Sequence, residues 1–113
     1  MTTNTNQPNR KSLILEMLKT NPKDTFLNYA LGLELMAESK NEEAIEMMEN
    51  VLKGDATYIP CYYQLGKLYE LVNNNTKAKE NYKAGLEIAK IKNDLKTVGE
   101  LSEALWMIDD EDQ

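Results

Sequence analysis

Histidine is absent from this chain of 113 residues, and cysteine occurs once, as Cys61. Histidine is the commonest general base and the commonest nitrogen ligand for metals, so its absence removes the usual starting point for either chemistry. No base or glycine-rich phosphate loop accompanies Cys61. We therefore expect no enzyme activity, no catalytic residues, no metal and no cofactor. A lone cysteine cannot form an internal disulfide, which predicts a cytoplasmic location.

Proline and glycine are also scarce, with 3 and 5 copies, which argues against an all-β chain full of tight turns. No apolar run approaches the roughly 20 residues of a membrane span, so we expect no membrane partner. The net charge of −6 repels phosphate backbones and disfavours nucleic acid as a partner. The first ten residues lack the apolar core of a secretory signal, and we expect residues 1–7 to form a disordered tail.

The residues that are abundant, mainly Ala, Leu, Glu and Lys, favour helix, and they recur with a period of 34. The dipeptide Leu31-Gly32 returns as Leu65-Gly66, 34 residues later. The same shift superposes other positions: Leu35 on Tyr69, Ala44 on Ala78, Met48 on Tyr82, Leu52 on Leu86, Ile14 on Met48 and Leu18 on Leu52. One period thus organises residues 10–90.

This pattern resembles the tetratricopeptide repeat, whose signature is Trp-x2-Leu-Gly-x2-Tyr, then Ala-x3-Phe, then Pro. The two copies here read Asn28-x2-Leu31-Gly32-x2-Leu35 with Ala44-x3-Met48, and Tyr62-x2-Leu65-Gly66-x2-Tyr69 with Ala78-x3-Tyr82. Asn28, Leu35 and Met48 replace aromatic residues, and Ala56 and Lys90 replace the proline. The small residues of the signature are all kept. The resemblance implies an all-α fold, a short α-solenoid of antiparallel helix pairs, and a non-catalytic role in binding other proteins.

The period divides the chain into a tetratricopeptide-like domain over residues 8–108, with an acidic tail over residues 109–113. The domain comprises a half repeat (8–22), two repeats (23–56 and 57–92) and a capping helix (94–108). If the two helices of a pair are called A and B, the six helices follow the order B, A-B, A-B, A. The last helix falls about two residues off the period. Trp106 is expected to pack within this cap or, in the alternative interpretation, to be an exposed contact residue. Asn41, and Asn75 or Thr76, are the predicted N-caps of the two complete B helices.

Two charged clusters and one thiol could each form a binding or catalytic site, or could have only a structural role. Acidic residues lie along the first complete helix B, and lysines lie along the second. Neither cluster includes the set of oxygen ligands of a metal site or the interleaved aromatic residues of a nucleic-acid-binding surface. The acidic positions are Glu42, Glu43, Glu46 and Glu49, and the basic ones are Lys77, Lys79, Lys83, Lys90 and Lys92. We interpret both as solvated helix faces and Cys61 as a packing residue.

The first helix A is apolar on more than its packing face. At about 100° per residue, Leu31 and Leu35 share one arc, and a second arc holds four further large side chains. The resemblance places that second arc in the concave groove where family members bind extended or helical peptides. In the next helix A, Pro60 matches Phe26. The predicted groove residues of the two helices together are Phe26, Tyr29, Leu33, Met36, Tyr63, Gln64, Lys67 and Glu70.

Some members of the family hold the C-terminal carboxylate of heat-shock chaperones with a clamp of Lys and Asn. The matching places here hold Tyr29, Leu33 and Gln64, with Lys96 near a third, so that function is not expected. Two functions remain open: an adaptor or scaffold that binds a peptide or helix of another protein, and a structural protein that forms a homodimer. In a third interpretation, the second arc is buried under the last helix or the N-terminal tail.

Overall fold

The computed structural model describes residues 9–111, which form six α-helices joined by short turns. The helices are α1 (Arg10–Thr20), α2 (Thr25–Ala37), α3 (Asn41–Gly54), α4 (Ile59–Leu71), α5 (Asn75–Ile91) and α6 (Leu95–Glu111). The prediction of an all-α chain with about six helices is confirmed. The predicted tail over residues 1–7 lies outside the described residues. Helix α6 continues through residue 111, so the first three residues assigned to the acidic tail are helical.

Polar side chains cap the start of four helices by accepting a hydrogen bond from a backbone N–H three residues later. These caps are Asn9 for α1 (2.7 Å), Asp24 for α2 (2.8 Å), Asn74 for α5 (3.1 Å) and Asp94 for α6 (3.3 Å). The prediction of Asn75 or Thr76 at the start of α5 is wrong, because Asn74 has the backbone conformation and reach to cap the N–H of Lys77.

The prediction that Asn41 caps α3 is also wrong. Asn41 is the first helical residue, and Lys40 occupies the cap position without a side-chain hydrogen bond. The Asn41 side-chain oxygen is buried without a hydrogen-bond partner. Two acids in the first turn, Glu42 and Glu43, face the positive end of the helix dipole and stabilise this start instead.

The repeat extends to the backbone of the turns within each pair. Ser39 and Asn73, 34 residues apart, both adopt a left-handed conformation, with φ of 63° and 62°. Each occupies the turn between helix A and helix B, where one left-handed residue redirects the chain. Equal turns place the two B helices in the same relation to their A helices.

Small residues lie where the helices of a pair approach most closely. Gly32 of α2 faces Met48 of α3, and Gly66 of α4 faces the ring of Tyr82 of α5. The alanines of the signature, Ala44 and Ala78, are fully buried. The large side chains of the B helices therefore fill the space that the glycines of the A helices leave.

Each helix packs on the next along the chain, so the molecule is a single stack with one continuous core. Helix α6 packs on α5 as α4 packs on α3, and it therefore takes the place of a third helix A. Its N-cap residue Asp94 lies 36 residues after Tyr58, whereas Tyr58 lies 34 after Asp24. The expected two-residue offset arises because α5, with 17 residues, is three residues longer than α3, with 14, while the turn that follows it (92–94) is one residue shorter than the turn after α3 (55–58). Leu101 of α6 is buried beside Gly85 of α5.

Candidate protein-binding cleft

One cleft of about 470 Å³ is lined by side chains from α2, α4 and α6, the three helices in A positions. Helix α2 contributes Tyr29, α4 contributes Tyr63 and Gln64, and α6 contributes Thr97 and Glu100. The three helices alternate with B helices along the chain, so the cleft brings together residues of successive repeats. The predicted groove residues lie on two of these helices, α2 and α4.

The floor of the cleft is aromatic. The rings of Tyr29 and Tyr58 meet edge to face, with centroids 5.2 Å apart, and Tyr63 lies beside them in the same cleft. Burial raises the pKa of Tyr29, and the side chain of Gln64 opposes that rise. The ring of Tyr63 lies with its centroid 6.0 Å from that of the buried Tyr82. These ring contacts restrict the orientation of the three tyrosines.

The rim of the cleft is acidic. Asp55, Asp94 and Glu100 line it together with one base, Lys92. A hydrogen bond from the Thr57 side chain holds the pKa of Asp55 below its usual value, and the Thr97 side chain lowers the pKa of Asp94 in the same way. These two carboxylates are therefore ionised at neutral pH. Tyrosine faces beside carboxylates are a favourable environment for a cationic side chain.

Three of the eight predicted groove residues, Tyr29, Tyr63 and Gln64, line this cleft. Phe26 stands outside it with 58% of its surface exposed. Of the other four predicted residues, Leu33 and Met36 are half-buried and pack against the core. The Lys67 ammonium lies 5.5 Å from the centre of the Tyr63 ring. Glu70 accepts a 2.6 Å hydrogen bond from Tyr82. The apolar arc of α2 is thus partly exposed and partly packed.

Sequence reasoning missed the turn residues of the cleft. Asp55 and Tyr58 come from the turn between α3 and α4, and Lys92 and Asp94 from the turn between α5 and α6. Lys92 reaches across to the other turn, where its ammonium donates to the Thr57 carbonyl at 3.4 Å. Helical periodicity carries no information about turns. One feature of the sequence could have indicated these residues. In a stack of helix pairs, every turn from a helix B to the next helix A lies at the same end of the stack, so residues of successive turns come close together.

Cys61 and Trp106 differ in how well their predictions hold. Cys61 is fully buried with its sulfur 3.6 Å from that of Met48, and burial raises its pKa to about 12. A thiol so far from ionisation is a packing residue, as predicted. Of the two interpretations of Trp106, packing within the cap is wrong, because its side chain is 67% exposed.

Within residues 9–111, no helix is both long enough and apolar enough to cross a bilayer. In the same part of the chain, no three acidic or cysteine side chains come together as potential metal ligands.

A single stack of antiparallel helix pairs defines the class of helical-repeat proteins. The family description "Tetratricopeptide repeat" matches residues 59–91. A tetratricopeptide repeat domain protein from Salinibacter ruber, solved by NMR, is 32% identical, with a TM-score of 0.73 over 77% of this chain and 88% of that one. The chain belongs to the tetratricopeptide repeat family, which generally comprises non-catalytic interaction modules.

Two further proteins are similar over other lengths. A TPR repeat-containing protein of Dictyostelium discoideum is 35% identical over 72 residues, which are 64% of this chain and 27% of that protein. The chain therefore spans about a quarter of that relative. The TPR2B domain of yeast Sti1, solved in complex with pHsp70, superposes with a TM-score of 0.82 at 17% identity, over 89% of this chain and 81% of that one. The last comparison concerns the fold alone.

Proposed function

We propose that the protein is a non-catalytic adaptor that binds a segment of another polypeptide in the cleft along α2, α4 and α6. The observation that carries this proposal is the joint lining of one cleft by three tyrosines and three carboxylates. The one thiol of the chain, Cys61, is buried and does not line the cleft. A cytoplasmic location stays a prediction from the free Cys61.

The cleft favours a bound segment with a lysine or arginine side chain. A cationic head between Asp55, Asp94 and Glu100 would be attracted by all three carboxylates, with Lys92 as the single opposing charge. The stem of that side chain would lie on the faces of Tyr29 and Tyr63, where aromatic surface binds both methylene groups and charge. Phe26 adds exposed apolar surface on the same helix as Tyr29. A few such anchors dominate the affinity of most interfaces.

The fold supports a segment in extended or helical form. In the Sti1 structure, a domain with this fold is in complex with pHsp70. The cleft here lacks the Lys and Asn clamp for a terminal carboxylate, and its acidic rim would repel one. The proposed partner is therefore an internal, basic segment of a protein and not an acidic C-terminus.

Selection from a displayed library of random peptides at low salt tests this proposal. We expect the selected peptides to be enriched in lysine or arginine next to apolar residues. Glu100→Lys should weaken the binding of a selected peptide by about tenfold, as expected from losing one charge-assisted contact and adding a repulsion. Binding can be measured by fluorescence anisotropy.

The matched control is Glu103→Lys, because Glu103 is exposed on the same helix but does not line the cleft. That change should leave the affinity within about twofold, the usual range for a charge outside the interface. Selection of peptides without basic residues would contradict the proposed chemistry. Equal weakening by the two variants would show that the cleft is not the binding site.

A further inference from the structure

Both ends of the described helix stack expose apolar side chains. On α1, Leu13 and Met17 are exposed, and on α6, Leu95 and Trp106. Every helix between them packs closely on the helix before it and the helix after it, whereas within residues 9–111 the main packing partner of α1 is α2 and that of α6 is α5. The repeat allows each open face to be compared with its equivalents inside the stack.

The open face of α1 is the one that a helix B normally turns toward its own helix A. Met17 corresponds to Val51 in α3 and to Gly85 in α5, both buried. Gly85 lies against the preceding helix A so closely that a Cβ there would come within 2.7 Å of the Tyr62 Cβ. Val51 lines a cleft with Asn28 of α2. The 52% exposed Met17 therefore faces the place that a helix A would take.

The open face of α6 is the one that a helix A normally turns toward its own helix B. With the 36-residue offset, Ser102 corresponds to Gly66 and Trp106 to Glu70. Both internal residues meet the helix B that follows them: Gly66 lies against the Tyr82 ring, and Glu70 accepts the hydrogen bond of its hydroxyl. Trp106 and Ser102 therefore face the place that a helix B would take.

The two open ends have opposite charge. The charged residues of α1 are Arg10, Lys11, Lys19 and the single acid Glu16. The described charged side chains of α6 are Glu100, Glu103, Asp109 and the single base Lys96. Because the helices of a pair are antiparallel, a helix B starting at Arg10 would begin beside the end of α6, where Asp109 lies.

The charges at that point are accessible. The Arg10 side chain is 64% exposed although it pairs with Glu34 of α2 at 3.0 Å. Asp109 is 60% exposed although it pairs with Lys79 of α5 at 3.2 Å. Arg10 stands where α3 and α5 have the alanines Ala44 and Ala78. A side chain of this length holds a docking helix farther from α1 than the two helices of an internal pair stand from each other, and its guanidinium can pair with an acidic helix end.

We propose that a second copy of this chain occupies each open end, with α1 of one copy docking on α6 of the next to complete a helix pair. Such a contact joins two different surfaces, so it does not close into a dimer by itself and extends from copy to copy. The side chains of Arg10, Met17, Trp106 and Asp109 do not line the cleft, so this proposal does not depend on peptide binding.

Sedimentation velocity over a range of concentrations tests the proposal. The mean mass of the unaltered protein should rise beyond that of a dimer at low salt, and the rise should need a higher protein concentration at about 0.5 M salt, where exposed charges are screened. Met17→Glu and Trp106→Glu should each give monomers. Both residues are exposed, so both variants should keep the helical circular dichroism of the parent.

A mixture of the two variants distinguishes this contact from any other. Met17→Glu keeps an intact α6 end and Trp106→Glu an intact α1 end, so an equal mixture should form one dimer and stop there. The controls are Leu15→Glu and Met107→Glu, on the same two helices. Leu15 corresponds to the charged residues Glu49 and Lys83, and Met107 to the exposed Leu71. Both controls should assemble as the parent does.

Four outcomes would overturn the proposal. The parent could stay monomeric at all concentrations, or either single variant could still dimerise, which would indicate a symmetric contact or assembly through the cleft. The mixture of the two variants could stay monomeric. Finally, the two controls could abolish assembly as completely as Met17→Glu and Trp106→Glu.

Discussion

Gly66→Ala is expected to destabilise the protein by about 3 kcal/mol, the upper part of the usual range for overpacking a core. A Cβ at Gly66 would overlap the ring of Tyr82. That ring is fully buried, its hydroxyl donates to Glu70 at 2.6 Å, and the Tyr63 ring lies on it. The ring cannot move aside without breaking these contacts. The free energy of unfolding in urea measures the change.

The chain contains two matched controls for this substitution. Gly32→Ala should cost less, because the Cβ there would meet the flexible end of Met48, with its methyl carbon at 2.8 Å. Gly99→Ala should stabilise the protein by about 0.5–1 kcal/mol, because nothing lies within 4 Å of the new Cβ and alanine is the better helix former. Equal effects at Gly66 and Gly32 would contradict the account of the rigid tyrosine ring.

Removal of residues 94–113 is expected to lower the free energy of unfolding by about 3–6 kcal/mol. The deletion removes Leu101 and Ile108, which are almost completely buried, and full burial of such a side chain stabilises by about 1.5–3 kcal/mol. It also uncovers Gly85 on α5, beside which Leu101 lies. Thermal unfolding followed by circular dichroism should show a much lower midpoint.

A single substitution separates this burial from any general effect of shortening the chain. Leu101→Ala should cost about 2–5 kcal/mol by leaving a cavity. Lys96→Ala on the exposed side of the same helix should change stability by less than about 0.5 kcal/mol. A truncated chain as stable as the parent would mean that α6 does not contribute to the core.

The helix pairs were predictable because their contacts are local in sequence and repeat. Leu31-Gly32 and Ala44 recur as Leu65-Gly66 and Ala78, and small residues at these spacings bring two neighbouring helices close together. The boundaries were less predictable. Asn74, and not Asn75 or Thr76, caps α5, because capping depends on the reach of one side chain to one N–H.

The cleft was predicted only in part. Tyr29, Tyr63 and Gln64 follow from their place on the A helices, since helical spacing defines which side chains share a face. The half-burial of Leu33 and Met36 depends on how neighbouring helices cross, and nothing local to α2 specifies that angle. The same holds for Trp106, whose apolar character suggested packing although no helix of the described part covers it.

The sequence by itself determined the fold class, the 34-residue helix pair and the two-residue offset of the last helix. The spacing of apolar and small residues along the chain specifies each of these features. Only the tertiary structure decided that Asp55, Asp94 and Glu100 share a cleft with three tyrosines. It also decided which faces of α1 and α6 stay open. These features join residues from separate turns and helices, and the stacking of the whole array, rather than any local pattern, brings them together.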